Sequence, residues 1–166
     1  RFKMHPFIST MANMLIIFGL VTYATKGVSF GAIDPAIPNI FIPKAGRFPM
    51  IILWAIIAVV VVWFIWNKTT FGKNLYAVGG NPEAATVSGI SVFKVTMGAF
   101  IMAGILYGFG SWLECLRMVG SGSAAYGQGW DMDAIAACVV GGVSFTGGIG
   151  KISGVVTGVL IFTSLT

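Results

Sequence analysis

The sequence predicts an all-α integral membrane protein, a multi-span helical bundle with a broken or re-entrant segment near its C-terminus. Of its 166 residues, 57% are hydrophobic and 9% are charged, and the mean hydropathy is +0.91. Soluble domains carry about 25% charged residues, so this composition argues against a water-soluble fold. The apolar runs are also long and continuous, whereas transmembrane β-strands alternate apolar and polar residues. Helices satisfy their own backbone hydrogen bonds in lipid, which makes them the expected spanning elements.

Three uncharged runs are long enough to cross a membrane as helices. Pro6 begins the first run, which extends over residues 7–25, and proline is favoured in the first turn of a helix. The second and third runs cover residues 50–66 and 95–113. About 20 helical residues at 1.5 Å each span the roughly 30 Å hydrocarbon core. Residues 26–47, between the first two runs, contain three prolines and predict an irregular loop that packs on the membrane face or on a partner.

Residues 67–92 form the only long polar, turn-rich interval that has an apolar run of membrane length at each end. Within it, Asn81 can cap a short helix that has Pro82 at its first position and Glu83 in its first turn, and Gly89 ends that helix. Two helical turns can neither span a membrane nor form a core. Their small side chains instead predict a docking surface for another protein, and the alternative is an ordinary surface loop.

Near the C-terminus, glycine interrupts the apolar pattern. Residues 134–140 are apolar but cover only about 10 Å as a helix. The run GGVSFTGGIG follows at residues 141–150, and residues 151–165 are apolar again, with glycines at every fourth position from 150 to 158. This pattern predicts a broken or re-entrant segment followed by a closely packed helix. A plain kinked span or a short turn outside the membrane fits the pattern equally well.

Single residues add three further expectations. Asp133 precedes the short apolar run and is expected to cap its helix. Gly104 and Gly108 are four residues apart and predict a second face for close helix packing. A lysine deep in lipid costs about 3 kcal/mol or more. Lys151 therefore predicts that the glycine break lies near the cytoplasmic face, or that the lysine side chain extends to that face.

The charge distribution indicates orientation rather than nucleic-acid binding. The net charge is +5, from ten Lys or Arg residues against five acidic residues, and no basic cluster is interleaved with aromatic residues. With Arg1 in the cytoplasm, the three lysines of residues 67–94 also lie there, as the positive-inside rule predicts; the basic loop at 26–47 disagrees with that rule. Gly150 and Lys151 lack the flanking residues of a phosphate-binding loop, and the two cysteines have no metal or redox spacing.

Three runs, FGKNLYAVGGNPEAATVSGISV, DAIAACVVGGVSFTGGIG and GVVTGVLIF, resemble permease subunits of bacterial ATP-binding-cassette (ABC) sugar importers. The resemblance is to the ribose, xylose and galactose branch, which is related to branched-chain amino-acid permeases. It is strongest to the permeases for galactose and methyl galactoside, and it extends from residue 63 to the end. Permeases of this family are about twice as long. The resemblance therefore implies that residues 1–166 form a single transmembrane permease domain that is incomplete at both ends.

The resemblance also implies a multi-pass protein of the bacterial inner membrane that imports a monosaccharide, with galactose or methyl galactoside as the expected sugar. Such a chain is a transport subunit and not an enzyme. Its implied partners are an ABC ATPase subunit inside, a periplasmic sugar-binding protein outside, a second permease subunit in a homo- or heterodimer, and membrane lipid. ATP and magnesium belong to the ATPase, so no cofactor is expected in this chain.

Two sets of residues carry these expectations, and no catalytic residue or metal ligand is among them. The ATPase-coupling loop, whose first two glycines are expected to act as a hinge, comprises Gly79, Gly80, Asn81, Pro82, Glu83, Ala84, Ala85, Ser88 and Gly89. The candidate substrate path comprises Gly141, Gly142, Ser144, Phe145, Thr146, Gly147 and Gly148.

Two other functions stay open on the residues alone. A secondary solute transporter would usually place an acidic or basic residue within the membrane for ion coupling, and the predicted spans carry no charge in their middle. A non-transporting membrane scaffold would use its glycines only for helix association.

Overall fold

The structure, a computed structural model, describes residues 6–29, 37–38, 44–45, 48–118, 122–123 and 125–165. Its architecture is all-α, as predicted, apart from one two-residue antiparallel ladder that pairs Lys44 with Pro49 and Ala45 with Phe48. The elements in chain order are α1 (Pro6–Thr25), β1 (Lys44–Ala45), β2 (Phe48–Pro49), α2 (Ile51–Lys68), α3 (Thr70–Gly80), α4 (Pro82–Val87), α5 (Val92–Met118), α6 (Trp130–Val140) and α7 (Ile152–Leu165).

The chain divides into two compact units. The first contains Arg1–Ile42 and Glu114–Gln128, and the second contains Pro43–Leu113 and Gly129–Thr166. Helix α1 belongs to the first unit, whereas α2, α3, α4, α6 and α7 belong to the second. Most of the predicted proline-containing loop at 26–47 lies outside the described residues.

Within the described residues, three helices are long and apolar enough to cross a membrane, namely Phe7–Thr25, Ile51–Lys68 and Val92–Met118. These helices confirm the three predicted spans, although the third begins earlier and ends later than the apolar run at 95–113. Almost none of their residues are buried within the chain. Exposed apolar surface costs about 25 cal/mol per Å² in water, so these helices require lipid or further protein around them.

In the first unit, polar contacts close the C-terminal end of α5. The Nε of Arg117 donates a hydrogen bond to Oε1 of Glu114 at 3.0 Å, and the Tyr126 hydroxyl donates to the same oxygen at 2.8 Å. One carboxylate therefore holds both the last turn of the helix and the segment after it.

In the second unit, aromatic side chains fix α2 and α3 against α5. The rings of Trp54 and Phe109 meet edge to face, with their centroids 5.9 Å apart. A methyl group added to Gly98 of α5 would lie 2.7 Å from the ring of Phe71, which shows how closely α3 approaches. Thr69 separates α2 from α3 and caps the latter, because its hydroxyl accepts a hydrogen bond from the Gly72 N–H at 3.4 Å.

The structure differs from the predictions at α3 and at the start of α6. Helix α3 occupies an interval for which the sequence predicted turns, and Gly79 and Gly80 are its last two residues rather than a free hinge. The predicted cap at Asp133 is wrong, because α6 begins at Trp130 after Gly129 at the cap position. Asp133 lies instead in the first turn, where its charge interacts favourably with the helix dipole.

The predicted break near the C-terminus is confirmed. Helices α6 and α7 are separated by residues 141–151 and have 11 and 14 residues. At 1.5 Å per residue they are about 16 and 21 Å long, so neither helix alone crosses the hydrocarbon core.

Candidate functional site

Helix α4 begins with the cap that the sequence predicts. The backbone of Asn81 is extended, and its Oδ1 accepts hydrogen bonds from the N–H groups of Glu83 and Ala84, both at 3.0 Å. Pro82 occupies the first helical position, and Glu83 adds a negative charge to the first turn. Each feature satisfies or complements the free N–H groups at the start of a helix.

The end of α4 is equally defined. Gly89 has a φ of +81°, and its N–H donates to the Thr86 carbonyl at 3.0 Å, while the Ile90 N–H donates to the Ala85 carbonyl at 3.0 Å. These two bonds form a Schellman motif, in which a left-handed residue reverses the chain and satisfies the last carbonyls. Gly89 therefore ends the helix as predicted.

The outer face of α4 is small and accessible. Ala85 is only 3% exposed, whereas Val87 is 90% exposed, and Pro82, Glu83 and Ala84 are exposed as well. Ala85 thus anchors the helix to the rest of the chain, and the exposed side chains of Pro82 and Ala84 are short. A partner can approach these two residues closely without displacing long side chains.

Removing the cap should loosen α4. Asn81→Ala loses both hydrogen bonds from Oδ1 and is expected to cost about 1 kcal/mol of local stability. Hydrogen exchange measured on the full-length protein should then become faster at the amides of α4 and stay unchanged in α2. Asn81→Asp keeps the cap and serves as the control. Equal exchange in Asn81→Ala and the unchanged protein would show that the cap does not hold α4.

Helices α6 and α7 form a closely packed hairpin. A methyl group added to Gly141 would lie 2.5 Å from the carbonyl oxygen of Gly154, and one added to Gly158 would lie 2.6 Å from the N of Gly141. Ala137, on the same face of α6, is 3% exposed. The glycines of α7 therefore let the two backbones touch, as the glycine spacing predicts.

The turn between these helices, residues 141–150, is shaped by glycine and carries an exposed tip. Gly142, Gly147 and Gly148 have positive φ angles. The hydroxyls of Ser144 and Thr146 hydrogen-bond to each other at 2.7 Å, and Phe145 between them is 80% exposed. We call this segment the glycine turn.

The structure brings the two predicted sets of residues together. The last residues of α3 contact the glycine turn backbone to backbone: a methyl group added to Gly79 would lie 2.6 Å from the N of Gly148, and one added to Gly148 would lie 2.6 Å from the Cα of Gly80. The Tyr76 hydroxyl donates a hydrogen bond to the carbonyl of Gly150 at 2.8 Å. Lys151 follows directly and is exposed. The break therefore lies beside the loop that carries α4.

An apolar groove of about 580 Å³ runs beside this contact. Helices α2, α3 and α7 and the glycine turn line it, with Val62, Tyr76 and Val155 among its walls. Ser144 and Lys151 are among its few polar residues. A wall of this kind suits an acyl chain or apolar side chains better than a polyhydroxylated sugar, which needs many hydrogen-bond partners.

Neither a role for Tyr76 nor the rest of α3 is predicted from the sequence. The signal was present but short: Phe71 and Leu75 are one helical turn apart, and Tyr76 and Gly79 repeat that spacing in part. Within the described part of the chain, no group of three or more His, Cys, Asp or Glu side chains could hold a metal ion.

The whole chain, residues 1–166, matches the family described as the permease component of the branched-chain amino acid transport system. The galactose/methyl galactoside import permease protein of Treponema pallidum is 54% identical over 178 residues, which cover 100% of this chain and 33% of that protein. The protein of the same name in Haemophilus influenzae is 46% identical, with 95% and 49% covered. The ribose import permease protein of Bacillus subtilis is 36% identical, with 98% and 51% covered. The chain thus spans between a third and about half of these relatives, and no solved structure matches it.

Proposed function

Because this chain belongs to the family of branched-chain amino acid transport system permease components, we propose that it is part of the transmembrane permease of an ABC importer for a monosaccharide, galactose or methyl galactoside. The observation that carries the proposal is α4, a capped helix presented in a loop between two helices of membrane length. The proposed sugar is that of similar proteins. The relatives from Treponema pallidum and Haemophilus influenzae, 54% and 46% identical to this chain, are both named for galactose and methyl galactoside.

In this proposal, α4 binds a separate ABC ATPase subunit, on which ATP and magnesium are bound. The exposed side chains of Pro82 and Ala84 support docking into a groove, because they can be buried with almost no loss of side-chain entropy. Glu83 lies between them and adds a negative charge at the same surface. Gly79, Gly80, Asn81, Ala85, Ser88 and Gly89 position that face. The chain contributes no step of ATP hydrolysis itself.

The sugar passes beside the glycine turn. Ser144 and Thr146 offer hydroxyl groups to a neutral substrate, and Phe145 offers a ring face against which sugars pack. Gly141, Gly142, Gly147 and Gly148 shape the turn that presents these three side chains. Broken helices in transporters commonly line substrate paths, which supports this assignment. A periplasmic sugar-binding protein delivers the sugar, and a second permease subunit completes the path.

The membrane is the bacterial inner membrane, with the loop that carries α4 on its cytoplasmic side. Lys68, Lys73 and Lys94 flank or belong to this loop, which agrees with the excess of basic residues in cytoplasmic loops. Lys151, beside the same loop, then reaches cytoplasmic water rather than lipid. Both placements support one orientation.

Uptake by the full-length permease tests the proposal. We would reconstitute it in proteoliposomes with its ATPase subunit and binding protein and follow labelled galactose, ribose and xylose with and without ATP. We expect galactose uptake that requires ATP.

Each other outcome points elsewhere. ATP-dependent uptake of ribose or xylose alone would keep the transporter class and correct the sugar. Uptake that collapses with an uncoupler while ATP is maintained would indicate a secondary transporter. An absence of flux with every sugar would indicate a scaffold.

A further inference from the structure

At Gly79 and Gly148, helix α3 and the glycine turn meet through backbone atoms. Gly79 and Gly148 each lack room for a methyl group against the other segment, and a methyl group on Gly147 would lie 2.9 Å from the carbonyl oxygen of Gly79. Side chains can absorb a small displacement by changing rotamer, but a backbone contact cannot. A shift at the end of α3 is therefore passed directly to the glycine turn.

A second attachment prevents the two segments from pivoting about that contact. Tyr76 lies one helical turn before Gly79, and its hydroxyl holds the carbonyl of Gly150 at 2.8 Å. Gly148 and Gly150 both belong to the glycine turn, so α3 contacts that turn at two points. Two points of attachment transmit rotation as well as translation.

Helix α4 is joined to α3 through a single residue. The N–H of Asn81 donates to the carbonyl of Ala77 at 3.1 Å and so completes α3, while its Oδ1 caps α4. On its other side α4 leads to α5 through residues 88–91. Asn81 thus ties the start of α4 directly to the end of α3.

The α6–α7 hairpin, on the other side of this contact, also moves as one unit, because its glycines let the two helix backbones pack directly against each other. From these four observations we infer that Tyr76 and the contact of Gly79 with Gly148 form a mechanical joint: when the ATPase subunit displaces α4, this joint moves the α6–α7 hairpin and the turn that carries Ser144. The inference rests on the proposed function and assigns a route to its coupling step.

The test compares sugar transported per ATP hydrolysed in the full-length permease, reconstituted with its ATPase subunit and binding protein and supplied with galactose. Gly79→Ala forces the joint apart and is expected to lower that ratio by about tenfold. Tyr76→Phe removes one hydrogen bond and is expected to lower it by about fivefold. The ATPase subunit should copurify with both variants as it does with the unchanged permease.

Two matched controls lie on α5 and should leave the ratio unchanged. Gly110→Ala adds a methyl group that meets no heavy atom of the described residues within 4 Å, and Tyr107→Phe changes a tyrosine that is 74% exposed.

If Tyr76 and Gly79 had only a structural role, their variants would lower uptake and ATP hydrolysis in proportion. The amount of sugar transported per ATP would then stay unchanged, which would contradict the proposed joint. The same conclusion would follow if Gly79→Ala and Gly110→Ala transported equal amounts of sugar per ATP. Failure of the proposed function is distinct, because the unchanged permease would then show no ATP-dependent uptake at all.

Discussion

Alanine in place of Gly158 is expected to separate α6 from α7 and to abolish sugar uptake by the full-length permease. Its added methyl group would overlap the carbonyl oxygen of Ala137 and lie 2.6 Å from the N of Gly141. Both are backbone atoms, so the helices must move apart. Overpacking of this kind costs about 3 kcal/mol, and the apparent melting temperature in detergent should fall by roughly 10 °C.

Gly110→Ala is the matched control for Gly158→Ala. It makes the same change in a helix of the same unit, where the new methyl group meets no heavy atom within 4 Å. Alanine also favours a helix over glycine by about 1 kcal/mol, so this variant should melt at or slightly above the temperature of the unchanged permease. If Gly158→Ala behaved in the same way, the close packing of α6 on α7 would be wrong.

This comparison also shows what glycine spacing does and does not predict. Gly104 with Gly108 and Gly154 with Gly158 share the same four-residue spacing. Within the described residues, a methyl group on Gly104 or Gly108 would meet nothing within 4 Å. A methyl group on Gly154 or Gly158 would instead meet the backbone of Ala137 in α6 or of Gly141, the residue after α6. The spacing indicates that a helix can be approached closely. It does not indicate which neighbour makes the approach.

The spans and α4 could be predicted because their signals are local. An uncharged run of sufficient length, or an Asn-Pro-Glu start, favours a helix whatever surrounds it. The sequence does not predict α3, because Gly72, Asn74 and the two terminal glycines are residue types typical of turns. Tertiary contact outweighs those preferences: the ring of Phe71 packs on α5, and Gly72 is buried where a methyl group would meet the backbone of Trp66.

The meeting of the coupling loop with the glycine turn lies beyond sequence reasoning for a different reason. Hydrophobic contacts leave a periodic pattern in the sequence, but Gly79 and Gly148 touch through backbone atoms, which every residue has. The sequence marks both as positions where a backbone could be approached. Only the fold shows that each is the other's neighbour and that Tyr76 reinforces their contact.

Arginine in place of Ala84 is expected to abolish ATP-dependent uptake while the permease folds normally. Ala84 is exposed on α4, so a long charged side chain meets no obstacle within the described chain. In the proposed complex it would enter the groove of the ATPase subunit and prevent close approach. Disrupting the centre of an interface typically costs about 3 kcal/mol or more, so binding of the ATPase subunit should weaken by about a hundredfold.

Two neighbouring variants separate docking from folding. Ala84→Ser keeps the side chain small and should retain both binding and uptake. Ala85→Arg places the same charge at a position that is 3% exposed, so it should unfold α4 and accelerate hydrogen exchange there, which Ala84→Arg should not do. Normal copurification of the ATPase subunit with Ala84→Arg, together with normal uptake, would remove the coupling role from α4. Lost binding with an intact α4 would instead place the partner on the exposed face of this helix, because Ala84 lies on that face.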